Sequence, residues 1–290
     1  MDLLLFKTLW GHTAGLDAAL AECHAAGYDG LEGPMPIAPR GRSVFRDRLR
    51  QEGLSYIAEI CTFGSYVPRP HGSVDDHLVS FSQQAEAAAE CAPLFLTVLG
   101  GSDAWSVDQS VQFLGAASAV AQRLSVQASF ETHRSRSLFN PWITREILRQ
   151  LPELRLTCDF SHWCCVCERL VLDEEPELLA LCSERAHHIH ARVGYDQGPQ
   201  VPHPAAPEYR AALEAHERWW DCIWQTHESA GRALTTMTPE FGPDGYMHTV
   251  PFSNAPVADL REVNHWIAGR QRERFHSRSS AESVTPVSSR

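Results

Sequence analysis

The sequence contains a single lysine, Lys7, and carries a formal net charge of −11 at pH 7. Binding to a nucleic-acid backbone requires clustered lysine and arginine side chains, so this charge argues against a nucleic-acid partner. No apolar run approaches the ~20 residues of a membrane span. The apolar run at residues 1–9 is too short for a signal peptide and leads directly into patterned structure. These absences predict a cytoplasmic protein that acts on a small molecule, away from membranes.

The nine cysteines do not form a recognisable disulfide or zinc framework. A chain of 290 residues does not need covalent cross-links, and Cys61 and Cys158 lie at strand-like positions. The cluster Cys164-Cys165-Val166-Cys167 lacks the two spaced CxxC pairs of a structural zinc site. Buried or half-buried free thiols in a reducing compartment are therefore predicted.

Strand-like apolar runs alternate with amphipathic helical runs along the whole chain. Eight strand–helix repeats run from a first strand at 3–9 to a last helix at 257–275. This count is typical of a (β/α)8 TIM barrel, so we predict one α/β barrel domain over residues 1–275. The tail 276–290 is rich in Ser, Arg and Glu, lacks periodicity and is predicted to be disordered.

A doubly wound open sheet shows the same alternation and is the main alternative fold. Such a sheet carries a glycine-rich phosphate-binding turn after its first strand. This chain has Thr8-Leu9-Trp10-Gly11-His12 at that place. The strand count and the dispersed candidate ligands also favour closure into a barrel.

Four potential metal ligands lie, one each, at the downstream ends of four successive strand-like runs. They are Glu131, Asp159, His190 and Glu240. In a parallel barrel all strand carboxyl ends meet at one face, which carries the chemistry, so the four side chains should converge. Three carboxylates and one imidazole favour Mn²⁺, Mg²⁺, Co²⁺ or Fe²⁺ over a thiolate-type zinc site, with Zn²⁺ left open. One divalent metal ion per chain is predicted.

Strand parity identifies further candidates, because side chains two residues apart share a face. His188 points the same way as His190 but one layer deeper, where it could support that ligand, and it is also a candidate substrate-binding residue. His133 and Arg192 should face a ligand above the metal. The first half of the chain adds candidate pocket residues that could equally pack or form ion pairs: Trp10, His12, Glu32 and Glu59.

At these positions the sequence resembles the xylose-isomerase-like TIM barrels, the sugar phosphate isomerase/epimerase superfamily. It looks most similar to single-metal members such as ketose 3-epimerases, hydroxypyruvate isomerases and inosose dehydratases. The resemblance runs over about residues 3–275, and its specific part lies in the second half. It implies a barrel that binds one divalent ion through Glu131, Asp159, His190 and Glu240.

The resemblance also implies roles for particular residues. In ketose 3-epimerases an Asp-x-x-His segment provides a substrate-contacting histidine, and Asp159-Phe160-Ser161-His162 matches it, which makes His162 a candidate substrate ligand. The two metal-binding glutamates of those enzymes also transfer protons, which implies catalytic roles for Glu131 and Glu240. The chain departs from that pattern at Asp196, where those epimerases carry an arginine, so the resemblance does not fix the substrate.

Together these observations predict a metal-dependent isomerase or epimerase acting on a small sugar, ketose, sugar acid or related polyol. The metal would polarise a carbonyl, and a carboxylate would remove the adjacent proton. A metal-dependent dehydratase of inosose or keto-acid type uses the same groups and stays open. A non-catalytic sugar-binding barrel and an endonuclease IV-like barrel are disfavoured, the latter by the net charge.

Two features allow more than one interpretation. Arg134 and Arg136 could hold a carboxylate or phosphate near the site, although loop arginines are more often solvated. The aromatic cluster formed by Trp219, Trp220 and Trp224 could be the interface of a homo-oligomer. Packing of its helix against the barrel is the preferred interpretation.

Overall fold

The computed structural model describes residues 1–243 and 245–282. Within these residues eight parallel strands form one closed barrel, in which each strand pairs with the next along the chain and the last pairs with the first. The predicted (β/α)8 barrel is therefore confirmed. The strands are β1 (Asp2–Thr8), β2 (Gly30–Gly33), β3 (Ser55–Cys61), β4 (Leu96–Leu99), β5 (Ala128–Glu131), β6 (Leu156–Cys158), β7 (Ala186–His190) and β8 (Leu234–Thr238).

Nine α-helices occur in the described part of the chain. They are α1 (Leu16–Ala26), α2 (Pro39–Glu52), α3 (Val74–Ala89), α4 (Val107–Arg123), α5 (Pro141–Gln150), α6 (Ser161–Cys167), α7 (Pro176–Arg185), α8 (Arg210–Ser229) and α9 (Leu260–Glu282). Local sequence sets several of their starts. Ser73 and Ser106 each form a capping box at the start of α3 and α4, and Asn140 caps α5, which begins with a proline.

Helix α6 begins three residues after the end of β6 and is not one of the eight helices of the strand–helix repeats. A helix of seven residues is too short to be stable through its own hydrogen bonds. Tertiary contacts stabilise it instead: Trp163 and Cys164 are fully buried, and Trp163 Nε1 donates a hydrogen bond to the Leu138 carbonyl at 3.0 Å. The helix turns the chain back over the barrel just beyond Asp159.

Helix α9 continues to Glu282, so the predicted domain boundary at residue 275 lies inside a helix. Arg278 forms ion pairs with Glu228 at 3.1 Å and Asp221 at 3.7 Å, both on α8. These ion pairs join α9 beyond residue 275 to α8. The rest of the predicted tail, residues 283–290, lies outside the described residues.

The barrel interior is layered. A buried cluster of Phe6, Ile57 and Phe95 fills one level. His188 packs on it, with its ring centroid 6.4 Å from that of Phe6 and 5.3 Å from that of Phe95. The polar residues of the site begin at His188 and continue toward the carboxyl ends of the strands.

The outer surface of the barrel is covered by the helices. Trp219, Trp220 and Trp224 of α8 are at most 1 % exposed, so the packing interpretation of this cluster is confirmed. The cysteines are all free, in keeping with the thiols predicted above. In the described residues, no helix combines the length and the apolar character needed to cross a bilayer.

Candidate active site

The fold brings the four predicted ligands together at the carboxyl ends of the strands. Glu131 ends β5, Asp159 follows β6, His190 ends β7, and Glu240 lies two residues beyond β8. One ligand atom from each lies within 4.8 Å of those from the other three. None of the four residues is more than 6 % exposed. Three carboxylates and an imidazole therefore share one small buried volume.

The electrostatics of this cluster call for more positive charge than its nearest neighbours provide. Burial raises the pKa of Glu131 to about 7, against the opposing effect of His190. Burial also raises the pKa of Asp159, although the Arg192 guanidinium opposes it. Burial disfavours the charged form of His190, but the surrounding carboxylates outweigh it and raise the pKa of His190 well above its ordinary value. Closely spaced buried carboxylates stay ionised only beside a cation.

Two atoms of the cluster are buried without a hydrogen-bond partner among the described residues: Glu131 Oε2 and His190 Nδ1. His190 Nδ1 lies 2.9 Å from Glu240 Oε2 but not in hydrogen-bonding geometry. Buried polar atoms are nearly always partnered, so both atoms need an explanation. A divalent cation would satisfy both and supply the missing positive charge. The residues present therefore fit a metal ion.

Glu32 of β2 links the two histidines of β7. Its Oε1 lies 3.0 Å from His190 Nε2 and its Oε2 lies 3.0 Å from His188 Nε2. Burial would raise the pKa of Glu32, but the two rings outweigh it and hold that pKa well below its ordinary value. A carboxylate on the far nitrogen of a metal-binding histidine fixes the ring and increases its basicity. The support predicted for His190 thus reaches it from His188 through Glu32.

His188 itself does not line the open part of the site. It is fully buried, and its Nδ1 lies 2.7 Å from Thr236 Oγ1, on the side opposite Glu32. Burial lowers the pKa of His188, so the ring is neutral and accepts a hydrogen bond from the threonine hydroxyl. The structure favours the support role for His188 over the predicted contact with substrate.

His133 and His162 lie next to the carboxylates, because they follow the carboxyl ends of β5 and β6. Their ring centroids are 3.9 Å apart. His162 Nε2 lies 3.7 Å from Asp159 Oδ2 and 3.9 Å from Glu131 Oε1. Burial holds the pKa of both histidines well below the ordinary value, so both rings are neutral. Neutral imidazoles at this position can donate or accept hydrogen bonds with substrate hydroxyl groups.

Arg192 contacts the carboxylate cluster directly. Its Nη2 donates a hydrogen bond to Asp159 Oδ2 and lies 3.5 Å from Glu240 Oε2. Its Nε donates to Ser161 Oγ at 3.2 Å. The side chain is 2 % exposed. Arg192 thus forms the boundary between the ligand cluster and the cavity beside it.

The cavity beside the cluster is small. Its volume of about 40 Å³ has space for a few water molecules. Trp10, Tyr66 and Tyr246 close it, with ring centroids 4.8–6.2 Å apart. A larger groove of about 680 Å³ lies between α1 and α9 on the outside of the barrel and includes none of the four converging residues. The lining residues of the small cavity are Trp10, Glu59, Tyr66, Leu99, Glu131, His133, Arg192, Glu240 and Tyr246.

The candidates from the first half of the chain have different positions. Trp10 and Glu59 line the small cavity, whereas His12 lines the outer groove. Burial, together with the charges of Glu240 and Glu131, raises the pKa of Glu59 to about 8. Glu59 is therefore a protonated acid at neutral pH. The sequence offered no signal that would separate these residues, because each follows an ordinary strand.

Arg136 is not available to a substrate. It is fully buried, and its guanidinium donates hydrogen bonds to backbone carbonyls of the loops after β3 and β4. The acceptors are the carbonyls of Thr62, Ser65, Tyr66 and Gly101. These bonds fix the loop that carries Tyr66 over the cavity. Arg134 lies nearer the site, with its guanidinium carbon 5.1 Å from the centre of the Tyr246 ring.

Comparison with known proteins agrees with this architecture. L-ribulose 3-epimerase superposes with a TM-score of 0.68 at 12% identity, covering 100% of both chains. The IolI protein with a bound zinc atom gives 0.61 at 16% identity, covering 93% of this chain and 96% of the other. Endonuclease IV from Thermus thermophilus gives 0.58 at 13% identity, covering 96% and 100%. At these identities the likeness shows the fold alone.

Sequence comparison identifies the family. No curated protein sequence is significantly similar to the chain. The family model for xylose isomerase-like TIM barrels matches residues 20–196, a range that includes Glu131, Asp159 and His190. Because this match covers more than half of the chain, the protein belongs to the family of xylose isomerase-like TIM barrels.

Proposed function

We propose that the protein is a divalent-metal-dependent isomerase or epimerase of a small sugar, ketose, sugar acid or related polyol. The observation that carries the proposal is the convergence of three carboxylates and one imidazole within 4.8 Å, with two of their atoms unpartnered. The family assignment and the fold of L-ribulose 3-epimerase support it. The net charge of −11 disfavours the endonuclease alternative, because binding a nucleic-acid backbone requires clustered positive charge.

In this proposal Glu131, Asp159, His190 and Glu240 hold one ion of Mn²⁺, Mg²⁺, Co²⁺, Fe²⁺ or Zn²⁺, with His190 using Nδ1. A divalent ion bound there supplies Lewis-acid polarisation of a substrate carbonyl. Glu131 and Glu240 both line the cavity and serve as the acid and base that move the proton beside that carbonyl.

The remaining candidates bind and orient the substrate. His133 lines the cavity, and His162 packs against it 3.7 Å from Asp159 Oδ2. Their neutral rings are suited to hydroxyl groups rather than to a phosphate. Arg192 contributes a guanidinium at the cavity wall. The aromatic side chains over the cavity would exclude water from the reacting carbon.

A dehydratase is the second candidate, and Glu59 is the observation that favours it. Glu59 lines the cavity without being one of the four proposed ligands, and burial, together with the neighbouring carboxylates, raises its pKa to about 8. Elimination of a hydroxyl group needs an acid that gives the departing oxygen a proton. An epimerase does not need this acid. Glu59→Gln should therefore abolish a dehydratase and spare an epimerase.

The metal site is tested by elemental analysis of the purified protein. We expect one divalent ion per chain and its loss in Asp159→Ala, because that variant removes a buried, charged ligand from the four-ligand set. The matched control is Asp196→Ala, which removes an exposed carboxylate of the loop after β7. Two or more tightly bound ions per chain would favour the nuclease-like alternative. An unchanged metal content in Asp159→Ala would refute the four-ligand site.

The reaction type is tested with the metal-loaded protein and a panel of ketoses, inososes and keto acids. Glu131→Gln and Glu240→Gln should each reduce turnover by roughly 10²–10⁴-fold, and more than they reduce metal occupancy. The amide keeps an oxygen donor but cannot act as a base. In D₂O the product should carry deuterium beside the carbonyl. Normal turnover without any deuterium would contradict the two-glutamate mechanism, and binding without turnover would indicate a sugar-binding barrel.

A further inference from the structure

Arg192 lies where its positive charge interacts with two of the four converging carboxylate and imidazole groups. Its Nη2 donates to Asp159 Oδ2 and is 3.5 Å from Glu240 Oε2. The same nitrogen lies 2.7 Å from His162 Nε2. An arginine has no lone pair to share, so the imidazole accepts this bond and carries its proton on Nδ1. All the groups that hold the guanidinium are therefore hydrogen-bond acceptors, and acceptors of this kind can also bind a metal ion.

A divalent ion bound by the same carboxylates would lie within a few ångströms of this guanidinium. Two positive charges at such a separation repel each other strongly in a buried site. They would also share Asp159 Oδ2 as an acceptor. The guanidinium at its present position and the proposed metal ion are thus alternatives rather than partners.

We infer that Arg192 is a displaceable counter-ion of the carboxylate cluster, which competes with the divalent ion for Asp159 and Glu240. The inference rests on the metal site of the proposed function. Without metal, the guanidinium compensates the buried carboxylates. When metal binds, the guanidinium leaves Asp159, and its N–H groups become available to a substrate.

The surroundings of Arg192 provide a position for the released guanidinium. Its central carbon lies 5.4 Å from the centre of the Trp10 ring and 4.9 Å from the centre of the Tyr246 ring. Both rings and Arg192 line the small cavity. A cation is stabilised over aromatic faces, so a shift away from Asp159 keeps the side chain over these rings and beside the cavity. Metal binding would then place the free N–H groups of Arg192 at the cavity wall, where a substrate can accept hydrogen bonds from them.

The experiment measures Mn²⁺ binding to metal-free protein by isothermal titration calorimetry. Arg192→Met removes the competing charge and keeps an apolar side chain against the rings. We expect it to bind Mn²⁺ tighter than wild type by roughly 5–150-fold, the usual range for coupling between two ligands. Arg192→Lys, which retains a charge, should fall between the two. The matched control is Arg134→Met, which removes a guanidinium over Tyr246 without contact to Asp159 and should leave the affinity unchanged.

A second readout separates competition from a loss of structure. Metal-free Arg192→Met should melt at a lower temperature than metal-free wild type, because its carboxylates have lost their counter-ion. Saturating Mn²⁺ should reduce that difference. An Arg192→Met affinity equal to or weaker than that of wild type would overturn the inference and make Arg192 a support for Asp159.

The outcomes also distinguish this inference from the proposed function. If wild type binds no Mn²⁺ and Arg192→Met does, the competition stands and metal dependence of the natural protein fails. If wild type binds Mn²⁺ and Arg192→Met gains nothing, the proposed function stands and the competition fails. If no form binds Mn²⁺ or any of the other four proposed ions in the same titration, the four-ligand site itself is refuted, and the competition with it.

Discussion

Replacing Glu32 by glutamine tests whether the metal site depends on a residue that is not one of its four proposed ligands. The carboxylate accepts from both histidines of β7, each at 3.0 Å, and is 1 % exposed. Glutamine has a similar volume but a single acceptor oxygen. It can keep one of the two bonds and presents an N–H₂ group to the other ring. His190 then loses either its fixed orientation or its charged partner.

The expected loss follows from this change. Removing the partner of a metal-binding histidine lowers metal affinity typically by 10–100-fold, or about 1.4–2.7 kcal/mol. The metal-free protein should also be less stable, by about 3 kcal/mol, the lower end of the range for breaking a buried ion pair, because glutamine keeps one hydrogen bond. His188→Ala should lower metal affinity less than Glu32→Gln, since His188 acts on His190 through Glu32.

Calorimetric titration with Mn²⁺ and urea denaturation measure the two quantities. Glu22→Gln is the matched control, because the Glu22 carboxylate also joins two side chains, Lys7 and His265, each at 2.9 Å, but outside the site. It should leave Mn²⁺ affinity unchanged. Wild-type affinity in Glu32→Gln, or a greater loss in His188→Ala, would refute the bridge through Glu32.

Three further predictions concern the frame around the site. Gly194→Ala places a Cβ 2.5 Å from the Ser161 carbonyl oxygen, so thermal denaturation should show a loss of about 1–3 kcal/mol, and an unchanged melting temperature would contradict this close approach. Burial lowers the pKa of His216 from 6.5 to about 4, so its neutral form favours the folded state above pH 6.5 and this contribution, about 3 kcal/mol, is lost as the pH falls to 4. In His216→Gln, the free energy of unfolding measured by urea denaturation should fall less between pH 6.5 and pH 4 than in wild type. A pH dependence equal to that of wild type would refute the assignment. Arg136→Met leaves four loop carbonyls without their hydrogen-bond donor, which costs about 1–3 kcal/mol for each carbonyl that water does not reach. Limited proteolysis within residues 64–72 should therefore be faster than in wild type. A wild-type cleavage rate would mean that other contacts fix this loop.

The sequence by itself determined the barrel and the meeting of four side chains. Alternating strand and helix periods set the number of repeats, and parallel strands of a closed barrel end at one face. The residue type at each strand end can be read directly from the chain. Glu131, Asp159, His190 and Glu240 could therefore be predicted to converge without knowledge of any contact between them.

Short helices and helix ends were not determined in this way. Helix α6 is stabilised by the burial of Trp163 and Cys164, and its N-cap residue, Phe160, has no side chain that could cap it. The extension of α9 past residue 275 depends on ion pairs between Arg278 and α8. Local propensity is weak in such segments, so partners distant in sequence fix them.

The tertiary structure alone determined which groups pair inside the site. Glu32 meets His188 across 156 residues of sequence, because closure of the barrel brings β2 and β7 to the same interior. Arg192 could have pointed to solvent or to a substrate, and Arg136 could have held an anion. In the fold, the first lies on Asp159 and the second on loop carbonyls. Charge pairing in a buried site depends on distance and desolvation, and neither quantity exists until the chain has folded.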